Sequence, residues 1–251
     1  MPKPILSGIV LFFLLFSNLL VVSANENTPK KKLVVLGDSI VTGYHLENTT
    51  LQPSDHAFPY LIGAELDYQV DNLGVPGWTT ADLLKALKTP SYKEALKKAD
   101  SVVLYIGSND LLKAMSGIIL KLKQNTSYQP TEEEIKGMFP SVMGIMTHLP
   151  AIMKEIRQET DAPIVLYTLY NPFPSDMRVF QASESILQPL NFFYRWAAAQ
   201  THDVHIADAY RAFSGQQKQY VRIQAADIHP SEEGQQALAK VGKEVLTRDT
   251  N

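Results

Sequence analysis

The sequence predicts an α/β domain, a parallel sheet with helices on both faces, in one unit without repeats or an internal linker. Three observations carry this. Short apolar runs alternate with helical periodicity from residue 33 to the carboxyl terminus, the pattern of βαβ units. The first run, Leu33 to Leu36, is apolar throughout, as strands covered on both faces are, and the third, Ser101 to Gly107, is the clearest of all. Three runs in succession end in Gly plus small polar residues, at Gly37-Asp38-Ser39, Asn72-Leu73-Gly74 and Gly107-Ser108-Asn109-Asp110. In open α/β sheets such strand ends are where ligands bind.

Ahead of the domain, Lys3 precedes an almost unbroken apolar run over 5–22, and Val22-Ser23-Ala24 offers small residues for cleavage. Residues 1–24 therefore read as a signal peptide, and the expected location is extracellular. The same run is long enough to span a bilayer, which leaves a retained membrane anchor as the other reading. With no cysteine in the chain, a lipid-modified cysteine and a disulfide are both excluded. Residues 25–32 form a polar linker ending in Lys30-Lys31-Lys32, a solvated cluster suited at most to transient contact with an anionic membrane surface. Residues 33–251 are the domain, and a mature chain of about 225 residues can bury a core of its own. The net charge is -3 with 45% hydrophobic residues, and no basic stripe of the kind nucleic acid requires is present.

The first strand is the run that delivers Ser39. A loop through Gly43 and Tyr44 to Pro53 leads to a helix over 58–66, where Phe58, Leu61, Ile62 and Leu66 recur at helical spacing. The second strand spans 69–74 and runs into Gly74-Val75-Pro76-Gly77-Trp78, before a helix capped by Thr79 or Thr80. The third covers 101–107. A helical insertion over 111–156 follows, interrupted by Pro130, Pro140 and Pro150 and carrying Met115, Met138, Met143, Met146 and Met153. Such methionines either cap an acyl-binding pocket or fill the core of extra helices. The fourth strand spans 162–170, opening at Pro163; the fifth is 204–207; the last helix, over 231–246, begins at Ser231.

Near the carboxyl terminus Asp227-Ile228-His229-Pro230 puts a histidine on a loop with a carboxylate two residues earlier. A serine nucleophile needs a base, the base needs a partner that holds its tautomer, and the developing oxyanion needs fixed donors. Ser39, His229 with Asp227, the Gly77 amide and the Asn109 side chain are candidates for these parts from separate strand ends. His202, His205, Asp203 and Asp208 follow no recognised metal-ligand spacing, so no metal is expected. Asn48-Thr49-Thr50 and Asn125-Thr126-Ser127 match the N-glycosylation acceptor pattern.

With Gly37-Asp38-Ser39, a glycine in the second strand's loop, Gly107-Ser108-Asn109-Asp110 and the late His229-Pro230 in this order, the chain resembles the SGNH hydrolase superfamily, the GDSL-type lipases and esterases. The resemblance covers essentially all of the mature chain. It implies a three-layer α/β/α, flavodoxin-like fold with a five-stranded parallel sheet. Ser39 is then the nucleophile, His229 the base, and Ser39, Gly77 and Asn109 the oxyanion hole, with no cofactor. One position departs from the pattern: the family places its acid three residues before the histidine, where this chain has Ala226. Either Asp227 reaches the imidazole from one residue later, or a backbone carbonyl orients His229 in a Ser-His dyad. The implied function is a secreted serine hydrolase of carboxylic esters or thioesters acting through an acyl-enzyme on Ser39, with a small-molecule or lipid ester as substrate. A carbohydrate O-acetyl esterase of extracellular polysaccharide is the enzymatic alternative. A non-catalytic lipid- or carbohydrate-binding protein on the same scaffold is the rival from another class. Oligomeric state is not legible.

Overall fold

The computed structural model describes residues 29–47, 52–125, 127–225 and 227–248. The expected signal peptide at 1–24, the expected linker up to residue 28 and the acceptor pattern at Asn48 lie outside them, as does Ala226. Five strands, β1 (Lys31–Gly37), β2 (Tyr68–Asn72), β3 (Ser101–Tyr105), β4 (Ile164–Tyr167) and β5 (Val204–Ala207), form one sheet in the order β2-β1-β3-β4-β5. Every neighbouring pair is parallel. The helices are α1 (Phe58–Leu66), α2 (Thr80–Ala86), α3 (Pro90–Leu96), α4 (Ser108–Ala114), α5 (Ser116–Gln124), α6 (Glu132–Lys136), α7 (Phe139–Glu159), α8 (Val179–Ala199), α9 (Ala209–Phe213), α10 (Gln217–Tyr220) and α11 (Glu232–Leu246), with a 3-10 turn at Ile223–Ala225. One group, α2, α3, α4 and α8, packs on α7; the other gathers α1, α9 and α10 on α11.

The central strands read as apolar because both faces are covered: Leu33, Val34, Val35 and Leu36 of β1 and Val102, Val103 and Leu104 of β3 are fully buried. The edge strands β2 and β5 are only partly buried. The sheet thus has the predicted class and strand count, while several boundaries move. β1 starts at Lys31, so Lys31 and Lys32 belong to the strand rather than to the linker, and the Lys32 N–H donates to Asp100 Oδ2 at 2.7 Å. β2 stops at Asn72 because that side chain turns back on the loop, donating to the Val41 carbonyl at 2.7 Å and accepting from the Gly74 N–H at 3.0 Å. Helix α2 is capped by Thr79, whose box with Asp82 is complete.

The prolines of the insertion divide in effect. Pro140 sits in the first turn of α7, where its missing donor breaks no bond, but Pro150 lies inside α7 without ending it. An interior proline costs about 3 kcal/mol. Full burial of Ile145, Leu149, Ile152, Met153 and Ile156 along the same helix offsets that cost, so the expected interruption at Pro150 does not occur. Among the described residues no helix is long and apolar enough to cross a membrane.

Gly37, at the exit of β1, is required by closeness rather than by its dihedral angles: a Cβ there would stand 2.3 Å from the Tyr105 carbonyl oxygen and 2.9 Å from Val41 Cγ1. That carbonyl is backbone of the neighbouring strand, paired in register with Gly37, and cannot swing away. Gly37→Ala should therefore destabilise the fold by roughly 1–3 kcal/mol, the range for overpacking a tight site. Urea unfolding of the two proteins checks this, and coincident midpoints would contradict the packing argument.

Candidate active site

Ser39 follows β1 in a tight turn whose carbonyl accepts from the Tyr44 N–H at 3.1 Å and the Thr42 hydroxyl at 3.0 Å. Gln235 of α11, almost fully buried, ties this turn to the opposite helical layer. Its side-chain amide donates to the Ile40 carbonyl at 3.2 Å while its carbonyl accepts from the Phe58 N–H at 2.9 Å. His229 enters from the loop before α11. That loop is fixed by the Arg222 N–H on the His229 carbonyl at 3.0 Å, by the Tyr170 hydroxyl on the Ile228 carbonyl at 2.8 Å, and by a bridge between Val221 and Pro230.

These constraints bring together residues from both ends of the domain. His229 Nε2 lies 2.9 Å from Ser39 Oγ, and His229 Nδ1 lies 2.5 Å from Asp227 Oδ1. The displaced aspartate does reach the imidazole. Its second oxygen, Oδ2, accepts from His45 Nδ1 at 2.9 Å and stands 3.5 Å from Arg222 Nε. Neither His45 nor Arg222 emerges from the sequence: the His45 contact crosses the fold, and Arg222, though five residues before Asp227, sits in no motif. Burial alone would push the Asp227 carboxyl up, but its hydrogen bonds to His229 and His45 outweigh that and hold it below the ordinary value. His229 is drawn below the usual imidazole range by burial, against the opposing pull of Asp227. That shift favours the neutral imidazole, whose Nε2 can accept a proton.

Asn109 lies in the first turn of α4, and its Nδ2 donates to the Trp78 carbonyl at 2.9 Å. Its neighbour Asp110 accepts from the Thr80 N–H at 2.9 Å and the Thr80 hydroxyl at 2.7 Å, so the end of β3 is strapped to the loop after β2. Trp78 packs on Tyr92, with ring centroids 6.0 Å apart. Gly77, beside Trp78, has a φ of 83° that favours glycine, and a Cβ there would meet nothing within 4 Å. The Gly74 N–H is already spent on Asn72, whereas the N–H groups of Ser39 and Gly77 meet no acceptor among the described residues. Ser39, Asn109 and His229 line one pocket; Gly77 stands outside its lining and connects to it through Trp78 and Asn109.

That pocket holds about 630 Å³ of empty space, its open mouth included, and its wall beyond Ser39 is apolar: Leu111, Leu112, Met115 and Met138 from the insertion, Ile186 and Leu187 from α8. The methionines fill both expected roles and a third position on the surface. Met115 and Met138 line the pocket, Met153 is core, and Met143 is exposed. His202, His205, Asp203 and Asp208 form no ligand cluster: His205 bonds Asp203 at 2.7 Å, and Asp208 pairs with Arg195 at 2.8 Å. Among the described residues the one set of three potential ligands is His45, Asp227 and His229, already bonded to one another.

The family model described as GDSL-like lipase/acylhydrolase matches residues 35–237. Among curated proteins, the spore germination lipase LipC of Bacillus licheniformis is 25% identical over 166 residues, which cover 65% of this chain and 71% of that protein. Among solved structures, the lipase Lip_vut3 from a goat rumen metagenome superposes with a TM-score of 0.65 at 22% identity, over 86% of this chain and 97% of that one. An acetyl xylan esterase variant from Geobacillus stearothermophilus does so at 0.59 and 18% identity, over 86% and 94%. Both structures share this fold.

One group at the site has a consequence for stability. Asp38 is fully buried beside Ser39; its Oδ1 accepts from the Ile40 N–H at 2.9 Å and its Oδ2 has no partner among the described residues. Burial raises its pKa from 3.8 to about 7. Between those values the folded carboxyl keeps a proton that the unfolded one has lost, so this group lowers stability as pH rises through the window. Asp38→Asn, neutral at every pH, should lack that component. Denaturant midpoints at pH 5 and pH 8 will fall less for the variant than for the native protein, and equal falls would refute the assignment.

Proposed function

This chain belongs to the GDSL-like lipase/acylhydrolase family, and from that premise we propose that it is an exported serine hydrolase that cleaves carboxylic esters or thioesters through an acyl-enzyme on Ser39. The observation that carries the reading is the hydrogen-bonded series Asp227, His229, Ser39 at the mouth of an apolar pocket. Ser39 Oγ attacks the carbonyl carbon as His229 Nε2 takes its proton, and Asp227 holds the imidazole with Nδ1 protonated and stabilises the cation that forms. The oxyanion is received by the Ser39 and Gly77 N–H groups and the second hydrogen of Asn109 Nδ2. His229 returns its proton to the departing alcohol or thiol. Water, deprotonated by the same imidazole, then attacks the acyl carbon and releases the acid and free Ser39. The scheme draws on no cofactor.

The apolar wall built by Leu111, Leu112, Met115 and Met138 favours a medium or long acyl chain, as in lipid esters, over acetyl groups on polysaccharide. Hydrolysis of p-nitrophenyl acetate, butyrate, octanoate and palmitate, with Ser39→Ala as control, tests catalysis and chain preference together. Activity should depend on Ser39 and rise from acetate toward octanoate. A preference for acetate would move the reading to O-deacetylation, and activity equal to the Ser39→Ala control on all four esters would favour a binding protein. Export is tested by the mass of the protein recovered outside the cell. It should lack residues 1–24, and a product found only with membranes at full mass would indicate an anchor.

A further inference from the structure

We propose that His45 is a positioning residue of this site: its imidazole holds Asp227 Oδ2 so that Oδ1 meets His229 from a chain position one residue removed from the D-x-x-H spacing. The proposal rests on the serine-hydrolase reading and extends it to a residue outside the family motif.

Asp227 sits only two residues before His229, and its carboxylate folds back on its own loop. Oδ1 accepts from both the backbone N–H and Nδ1 of His229, at 3.1 and 2.5 Å. A carboxylate bent back this way keeps its aim only while its other oxygen is held as well. Arg222 holds that oxygen loosely, with Nε 3.5 Å from Oδ2. His45 supplies the closer contact at 2.9 Å, and Arg222 also donates to the His45 carbonyl. The turn after β1 and the loop before α11 are thereby closed into one ring of contacts around Asp227.

The backbone supports the same conclusion. His45 has a φ of 68°, in the left-handed region that residues with a Cβ seldom occupy. Strain of this kind persists where the surroundings over-determine it. Burial is not the cause, because the side chain is 43% exposed and would be well hydrated in other conformations. What the conformation achieves is to aim Nδ1 at Asp227. Tyr44 steadies the arrangement, its ring 3.9 Å from that of His45 and 5.1 Å from that of His229. An ionised Asp227 can only accept, so Nδ1 of His45 carries the proton in this bond.

Two substitutions separate the hydrogen bond from the backbone. His45→Gly relieves the left-handed conformation and removes the donor, whereas His45→Asn tolerates that conformation and returns an amide N–H to the place of Nδ1. With a p-nitrophenyl ester, His45→Gly should lower kcat roughly tenfold and leave KM within about twofold of native, while His45→Asn recovers most of the loss. A second readout needs no turnover: the proton resonance between His229 and Asp227 should move upfield in His45→Gly and return in His45→Asn. Native kcat and an unmoved resonance in His45→Gly would overturn the proposal, as would equal losses in both variants. If the native protein shows no Ser39-dependent hydrolysis, the functional reading fails, and the resonance still decides whether His45 positions Asp227.

Discussion

All five strands run the same way, and this sets where everything else in the molecule can be. A parallel sheet opens every carboxyl end on one edge, so the turns after β1, β2 and β3 share that edge however far apart they lie in sequence. The register narrows the placement further. Gly37 pairs with Tyr105, so Ser39, two residues beyond the one, and Asn109, four beyond the other, leave adjacent strands side by side. The last helix completes the arrangement from the other layer. Gln235 anchors its first turns to the Ser39 turn, and His229, 190 residues from Ser39 in the chain, comes within hydrogen-bond distance of it. The sheet's three interior strands are buried over residues 33–37 of β1, Ser101–Tyr105 of β3 and Ile164–Tyr167 of β4. The loops that carry Ser39, Asn109 and His229 are thereby referred to one buried frame.

The edge that gathers these residues also determines their electrostatics. Polar groups drawn into an apolar interior lose hydration, and each responds according to its partners. Asp227 has two imidazoles and a guanidinium beside it and stays ionised. Asp38, next to Ser39 in the chain and bonded by the Ile40 N–H, is pushed by burial toward its neutral form. His229 lies between these cases, made less basic by burial and more basic by Asp227. The two carboxyl groups thus have opposite tendencies, and the difference is one of neighbours rather than of residue type. The apolar wall behind Ser39 contributes to the same end: by limiting water it strengthens whatever fixed donors face the mouth of the pocket.

Much of this architecture was legible in the chain because it rests on local rules. Unbroken apolar runs ending in Gly and small polar residues identify buried parallel strands, and the start of α11 follows from Ser231, which does cap it. Helix α1 follows from the spacing of Phe58, Leu61, Ile62 and Leu66. Local rules erred where tertiary energy outweighed them. Pro150 should end a helix, yet α7 runs through it on the burial of its apolar face. Lys31 and Lys32 look like linker, yet β1 recruits them, since backbone pairing with β2 does not depend on where a lysine side chain points. The methionines of the insertion have one composition and three fates, because pocket wall, core and surface differ only in what stands opposite.

The sequence by itself determined the layered α/β class, the order of the strands along the chain, and the residue types whose chemistry belongs together: Ser39, Asn109 and His229, with Gly77 and Asp227 beside them. The class and strand order are read from periodicity and turn chemistry within a few residues, and the residue set from the order of motifs that resembles the SGNH hydrolases. Only the tertiary structure decided that Asp227 reaches the imidazole despite its displaced position, and that His45 and Arg222 hold its far oxygen. It also decided that Met115 and Met138, but not Met143 or Met153, face the pocket beside Ser39. The physical reason is the same in each case: a hydrogen bond or an apolar contact depends on the direction of a side chain in space. For partners as distant in sequence as His45 and Asp227, that direction is set by how the helices pack on the sheet, which no short stretch of sequence records.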